Sequence, residues 1–440
     1  MSDTLTEVRS GARADTVTGL LAEIASIGAD RTRGGYSRPV FSSAELELRE
    51  WFIAHATRRG LDVHTDANGI IQAWWHGSGA GAAGSPGADA LASGDPASAD
   101  PASADPQGAV LTGSHLDSVP GGGAFDGPLG VASSLIAVDH LKRRGIQPVR
   151  SLVVAVFPEE EGSRFGVACL GSRLLSGAID PVRALALKDE NGDTFGDLAR
   201  RNGLDPERFG VDTGFLDSVS SFVELHVEQG RGLIDLDRPV AIGSSILGHG
   251  RWRISIHGEG NHAGTTLMED RRDPIVAAAR VIQAVRDIAR SHPFARATVG
   301  RIVPVPGGTN VIASRVDVWL DVRHPDDLVT AAIVELIRGA AVQLSAEEGC
   351  SAELVEESFS ATVAFDAPLR DRLARVLPDA PILDTGAGHD AGVLASMLPT
   401  AMLFVRNPSG ISHSPEEYAE DADAEAGAVA LADVLADLIA

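Results

Sequence analysis

Histidine and carboxylate side chains stand at the ends of successive apolar, β-prone runs in this chain, where they could hold a cation or move a proton. The run Ala109–Thr112 leads into His115-Leu116-Asp117, which puts His115 and Asp117 at the end of a buried strand. Gly121-Gly122-Gly123 lets the backbone double back. Gly127-Pro128 then opens an apolar helix from about Leu129 to Arg144, since proline at the first helical position has no amide to lose. Asp126 therefore lies at a helix N-terminus and faces the strand end. A strand-end histidine opposite a helix-start aspartate is half of a metal site; a glycine-rich turn with a capping aspartate is the alternative. The next buried-strand run, Ser151–Phe157, ends in Pro158-Glu159-Glu160-Glu161-Gly162. Adjacent buried carboxylates repel unless a cation compensates them, although a solvated acidic loop reads the same way. Ser220–Val227 ends in His226-Val227-Glu228-Gln229-Gly230, the third strand terminus in succession with ligand-type chemistry.

The elements that must position these groups follow from periodicity. Strand, helix and strand around His115 suggest a parallel βαβ unit. Upstream lie helices at Thr16–Ile27 and Ser43–Arg59, with Ser42 or Ser43 as cap, and strands at Asp62–Thr65 and Gly69–Trp75. From about Ile246 the pattern changes: strand Arg251–Gly258, helix Pro274–Ser291, strands Ala297–Val303 and Val311–Val322, helix Asp326–Ala346 and strand Ala352–Phe359. The helix stripe is Ile275, Ala278, Ile282, Val285 and Ala289. This order predicts a ferredoxin-like sandwich inserted in the first domain. Buried α/β patterns then return, with His389 and His413 in loops beside strands and a closing helix Ala424–Ala440. The fold expected is α/β: residues 1–245 and 361–440 form a catalytic domain on a central mixed, mostly parallel sheet, and residues 246–360 a lid or dimerisation domain. Gly77–Gln107, made of Gly, Ala, Ser, Pro and Asp, reads as a disordered insertion between neighbouring strands, not a domain linker.

Composition excludes several classes. A formal charge of -24 argues against nucleic-acid or anionic membrane partners. Two cysteines in 440 residues build neither a disulfide framework nor a cysteine metal site. The N-terminal residues lack a signal-peptide pattern and no run approaches 18 apolar residues, so a cytoplasmic protein is expected.

Taken in order, HLDSV, GGxFDG, EEEGSRF, HVEQG, NHAGTT, GTNV with DVRH, GAGHDA and GISHSPEE resemble the amidase branch of the metallopeptidase M20 family, from about Gly34 to the C-terminus. The branch comprises N-carbamoyl-L-amino-acid hydrolases, β-ureidopropionases and allantoate amidohydrolases. The resemblance implies two divalent metal ions, zinc or manganese, which suit ligands of His, Asp and Glu without Cys. It assigns His115, Glu161, His226 and His413 to one ion each and Asp126 to both. It makes Asp117 the carboxylate that orients His115 and Glu160 the acid and base, leaving Glu159 structural. His262 would supply an oxyanion donor across a homodimer interface, Arg323 with Asn310 would clamp a substrate carboxylate, and Gln229 and His389 would contact its polar groups. For Arg323 the alternative is an ion pair with Asp321 or Asp326.

The chain departs from the family's pattern at Leu267 and Gly392. Phe404–Pro408 looks more like members assigned to allantoate. The expected reaction is hydrolysis of a ureido C–N bond in a small carboxylate-bearing substrate, allantoate first, giving ammonia and carbon dioxide. The alternatives are an N-carbamoyl-amino-acid hydrolase or β-ureidopropionase, a peptidase or aminoacylase of the wider family, and a metal-binding module without catalysis.

Overall fold

A computed structural model describes residues 16–78 and 108–440. Most of the low-complexity insertion read at 77–107 thus lies outside the described residues. In chain order the strands are β1 (Asp62–Thr65), β2 (Ile71–Trp75), β3 (Ala109–His115), β4 (Leu152–Phe157), β5 (Val219–Val227), β6 (Val240–Ile246), β7 (His249–His257), β8 (Asn261–His262), β9 (Arg296–Val305), β10 (Val311–Ile312), β11 (Arg315–Arg323), β12 (Ser351–Ser360), β13 (Val363–Ala364), β14 (Ile382–Thr385) and β15 (Thr400–Val405). Contacts divide the chain into two compact units, Met1–Ser244 with Ala364–Ala440, and Ser245–Val363.

The large sheet runs β1-β2-β4-β3-β5-β15-β6-β13, with β14 also on β6. Its four central strands, β4, β3, β5 and β15, are parallel, whereas β1/β2, β2/β4 and β15/β6 are antiparallel. The central strands are continuous apolar runs because both faces are covered: every residue of β3, β4 and β15 is buried. Helices Pro128–Arg143 and Asp421–Leu438 supply Leu135, Val138, Leu431 and Leu435 to that core. Register aligns the carboxyl ends. His115 pairs with Phe157, and Thr112 with Val223, so three residues further on His115 and His226 reach the same level. In an open parallel sheet that edge is where ligands bind.

In the second unit β7, helix Pro274–Arg290, β9, β11, helix Asp327–Glu347 and β12 build an antiparallel sheet in the order β12-β7-β11-β9, the ferredoxin-like arrangement. Val316, Val318, Leu320 and Val322 fill its core. Two sequence expectations change. The run from Val311 is two elements, Val311–Ile312 pairing with β8 before β11 begins at Arg315. On helix Pro274–Arg290 Ala278, Val285 and Ala289 are buried as expected, but Ile275 is exposed and Ala277 and Val281 join the buried stripe. Among the described residues only helix Asp327–Glu347 has the length and hydropathy to cross a bilayer. Here its Ile333, Val334, Ile337 and Ala341 pack into the core of this unit.

Candidate metal centre

Three strand ends and the loop carrying His413 converge around Asp126. Its Oδ1 lies 3.5 Å from His115 Nε2 at the end of β3 and 3.2 Å from His226 Nε2 near the end of β5. Its Oδ2 lies 3.4 Å from His413 Nε2, which is 3.3 Å from Glu161 Oε2 beyond β4. Two groups of donors result, His115/Asp126/His226 and Asp126/Glu161/His413, each with its atoms within 4.8 Å of one another and sharing Asp126.

The turn that delivers Asp126 depends on Gly127. It caps helix Pro128–Arg143 at φ 82°, and a Cβ there would sit 2.5 Å from His115 Nδ1. Only glycine combines that left-handed backbone with the close approach of the ring.

Both buried imidazoles present Nε2 to the site. His115 Nδ1 donates to the Asp117 carbonyl and His226 Nδ1 to the Val227 carbonyl, each at 3.0 Å. The nearer oxygen of the Asp117 carboxylate lies 3.7 Å from His115 Nδ1, and the same carboxylate reaches a second segment. Its two oxygens accept the main-chain amides of Glu160 and Glu161, each at 3.1 Å, which ties the end of β3 to the glutamate turn after β4.

Charge is concentrated and dry. Burial pushes the Glu160 carboxyl well above its ordinary range, His115 opposing and Asp390 and Glu161 adding to the effect. Burial and Asp126 do the same to Glu161. Burial and Asp117 push Glu159 up to about 8, while its Oε1 accepts the amides of Arg164 and Phe165. His115 is held well above its usual value: burial opposes its charge, but Glu160, Asp126 and Asp117 together outweigh burial. Burial works against the charge of Asp126 too, yet the hydrogen bonds from His115 and His226 bring it well below the carboxylate range. Nε2 atoms of His115 and His226 face each other at 3.5 Å. Crowded carboxylates beside two convergent imidazole nitrogens are the donor set that a pair of divalent cations satisfies, and the residues present fit such a pair.

Around the donors, Glu160 Oε2 is 3.6 Å from His115 Nε2, and its Oε1 accepts the Cys169 thiol at 3.3 Å. Gln229 Nε2 donates to Asp126 Oδ2 and to Ser412 Oγ, each at 2.8 Å. The His389 ring packs 4.4 Å from that of His226. Gln229 Oε1 and His389 Nε2 are buried without a hydrogen-bond partner among the described residues. His262, Asn310 and Arg323 belong to the second unit. His262 is exposed and its Nδ1 accepts the Gly264 amide, the Asn310 carbonyl accepts the Ala263 amide, and Arg323 forks onto both oxygens of Asp321 at 2.7 and 3.0 Å.

Sequence reasoning passed over Glu224, Asn407, Ser412 and Glu417. Glu224 accepts the Ser114 hydroxyl and the Ala391 amide, each at 2.9 Å. A carboxylate inside the apolar run of β5 was the available signal. Asn407 closes the loop before His413 by accepting the Ser409 and Gly410 amides and donating to the Ile411 carbonyl. Its segment carried the hint towards allantoate; in the structure Asn407 shapes a loop and Arg406 pairs with Asp423 and Asp237.

Known proteins match this chain over most of its length. The Peptidase family M20/M25/M40 matches residues 111–437. An N-carbamoyl-L-amino acid amidohydrolase of Geobacillus stearothermophilus is 32% identical over 415 residues, 93% of this chain and 95% of its own. An allantoate amidohydrolase of Bacillus subtilis (strain 168) is 34% identical over 337 residues, 74% of this chain and 80% of its own. The crystal structure of an amidase of the hydantoinase/carbamoylase family from Burkholderia multivorans superposes with a TM-score of 0.81 at 30% identity, covering 96% of this chain and 97% of that one. Fold and relatives define an enzyme, a hydrolase of carbon–nitrogen bonds other than peptide bonds. The chain belongs to Peptidase family M20/M25/M40, in its amidase and carbamoylase branch.

Proposed function

We propose a two-metal amidohydrolase that cleaves the ureido C–N bond of a small carboxylate-bearing substrate, allantoate first and N-carbamoyl-L-amino acids second. The observation that carries this reading is the Asp126 shared between two donor groups, with Glu160 beside His115 of the first. Relatives of both specificities support the substrate class. His115, Asp126 and His226 would hold one divalent cation and Asp126, Glu161 and His413 the other. When bound, the ions supply Lewis acidity and lower the pKa of a coordinated water.

The chain's own residues do the rest. Glu160, dry and disposed to accept a proton, takes one from the attacking water and returns it to the leaving nitrogen. Gln229 Oε1 and His389 Nε2 are polar atoms without partners among the described residues, suited to the N–H and C=O groups of a ureido substrate. Burial, with the neighbouring His226, pushes His389 well below its ordinary value, so it serves as a neutral contact. Arg323 would exchange its Asp321 partner for the substrate carboxylate, with Asn310 beside it, and His262 would donate to the oxyanion across a homodimer interface. A cytoplasmic setting agrees with a chain whose two cysteines are free thiols.

The test is ammonia release by the metal-loaded enzyme from allantoate, a panel of N-carbamoyl-L-amino acids and dipeptides. Highest kcat/KM on allantoate is expected. Silence on allantoate with turnover of carbamoyl amino acids transfers the reading to the second substrate, and dipeptide turnover above both overturns it.

A further inference from the structure

We propose that Glu417 is a positioning residue: it ties the loop carrying His413 to the turn carrying Asp126 and so keeps the two donor groups joined. The inference rests on the two-metal reading above. Glu417 Oε1 accepts the main-chain amides of Phe125 and Asp126 at 3.1 and 2.9 Å, and Oε2 accepts the Ser412 hydroxyl at 3.0 Å. One buried carboxylate thus binds the two amides that lead into Asp126 and the hydroxyl of the residue before His413.

The need for such a tie is visible at His413. Its side chain is 52% exposed, against 5% for Asp126 and for Glu161, so packing does little to hold the imidazole. Its backbone is left-handed at φ 56°, a conformation that a residue with a Cβ keeps only when its surroundings dictate it. Those surroundings are hydrogen bonds. Ser412 has a single hydroxyl proton, for which Glu417 Oε2 at 3.0 Å is a nearer acceptor than Asp126 Oδ2 at 3.4 Å, and its lone pair accepts Gln229 Nε2 at 2.8 Å. On the far side Asn407 closes residues 407–411.

Gly123 supplies an independent sign. Its φ lies outside the positive region, yet a Cβ there would fall 2.2 Å from Glu417 Oε1. Glycine at 123 leaves room for the Glu417 carboxylate and answers no backbone demand.

The experiment measures Zn2+ and Mn2+ stoichiometry and affinity by chelator competition on the full chain, with the melting temperature of the metal-free protein as control. Glu417→Ala is expected to bind one of two ions about 10- to 100-fold more weakly, the range for loss of a group behind a metal ligand, while the other ion and the metal-free melting temperature hold. Glu417→Gln keeps an oxygen for the two amides and should stay within a few-fold of the parent. Gly123→Ala, which crowds the carboxylate without removing it, should reproduce the selective loss, and it carries the test if Glu417→Ala does not fold. Two ions bound with parental affinity in both Glu417→Ala and Gly123→Ala, or equal weakening in Glu417→Gln and Glu417→Ala, overturns the role. A parent protein that binds no pair of ions overturns the two-metal reading instead, so the two failures are told apart.

Discussion

At the scale of single residues, three adjacent glutamates of one type do three different things because their surroundings differ. Glu159 turns away to cap the amides of Arg164 and Phe165, Glu160 faces His115 and the Cys169 thiol, and Glu161 faces His413. Replacing Glu160 by Gln keeps the volume and removes the proton acceptor. Turnover should fall by roughly 10²- to 10⁴-fold, the usual size of a general acid–base contribution, while metal content and melting temperature remain. Unchanged turnover in Glu160→Gln, measured beside its metal content, would remove Glu160 from the chemistry. The sequence pointed to this triplet, but it had no means of distributing the roles without the family's pattern, since side-chain direction after a strand end depends on the turn.

At the scale of elements, the hairpin β1–β2 turns on Asp66, whose Oδ1 accepts the Ile70 amide at 2.8 Å while Oδ2 is buried without a hydrogen-bond partner among the described residues. Burial raises its carboxyl from 3.8 to about 7, the amides of Ile70 and Asn68 opposing. The sign follows directly. The folded chain binds this proton more tightly than the unfolded one, so the stabilisation is full below pH 3.8 and is lost as pH rises through about 7. Asp66→Asn, neutral at every pH, should melt above the parent at pH 8, and the gap should close as pH falls from 7 to 4. A pH-independent gap would rule out this account. Elements were largely legible in advance: the apolar runs of β3, β4 and β5 and the helix after Pro128 needed only periodicity. The break at Ala313-Ser314 was not, because it is made by pairing of Val311–Ile312 with a strand fifty residues earlier in the chain.

At the scale of the whole molecule, residues 79–107 stand in the chain between β2 and β3, which are not the neighbouring strands that the sequence led one to expect: β4 lies between them, because the strand that follows helix Pro128–Arg143 inserts there. Trp75 pairs with Leu152, which pairs with Val110, so the two strand ends lie on one side of the sheet about 10 Å apart, two strand spacings. A linker of roughly six Gly and Ser residues spans that distance. Substituting it for residues 79–107 should leave metal content and kcat/KM within about two-fold, since loop length costs little; a folded but inactive product would give the segment a functional part. His115 and the other proposed donors all lie at the opposite, carboxyl edge of the parallel strands.

Apolar runs and their order determined where ligand-type residues stand, and the family resemblance of the motifs named the chemistry. Periodic apolar runs ending in His115, Glu160-Glu161 and His226 specify strand ends bearing donors, because burial dictates the pattern of a central strand whatever lies elsewhere. What only the tertiary structure decided is which atoms meet. Asp126 divides its oxygens between two groups, the Asp117 carboxylate accepts the Glu160 and Glu161 amides, and Glu417 reaches back 291 residues to the Asp126 amide. Each is a contact between segments distant in the chain, set by strand register and loop closure. Local propensity carries no record of either.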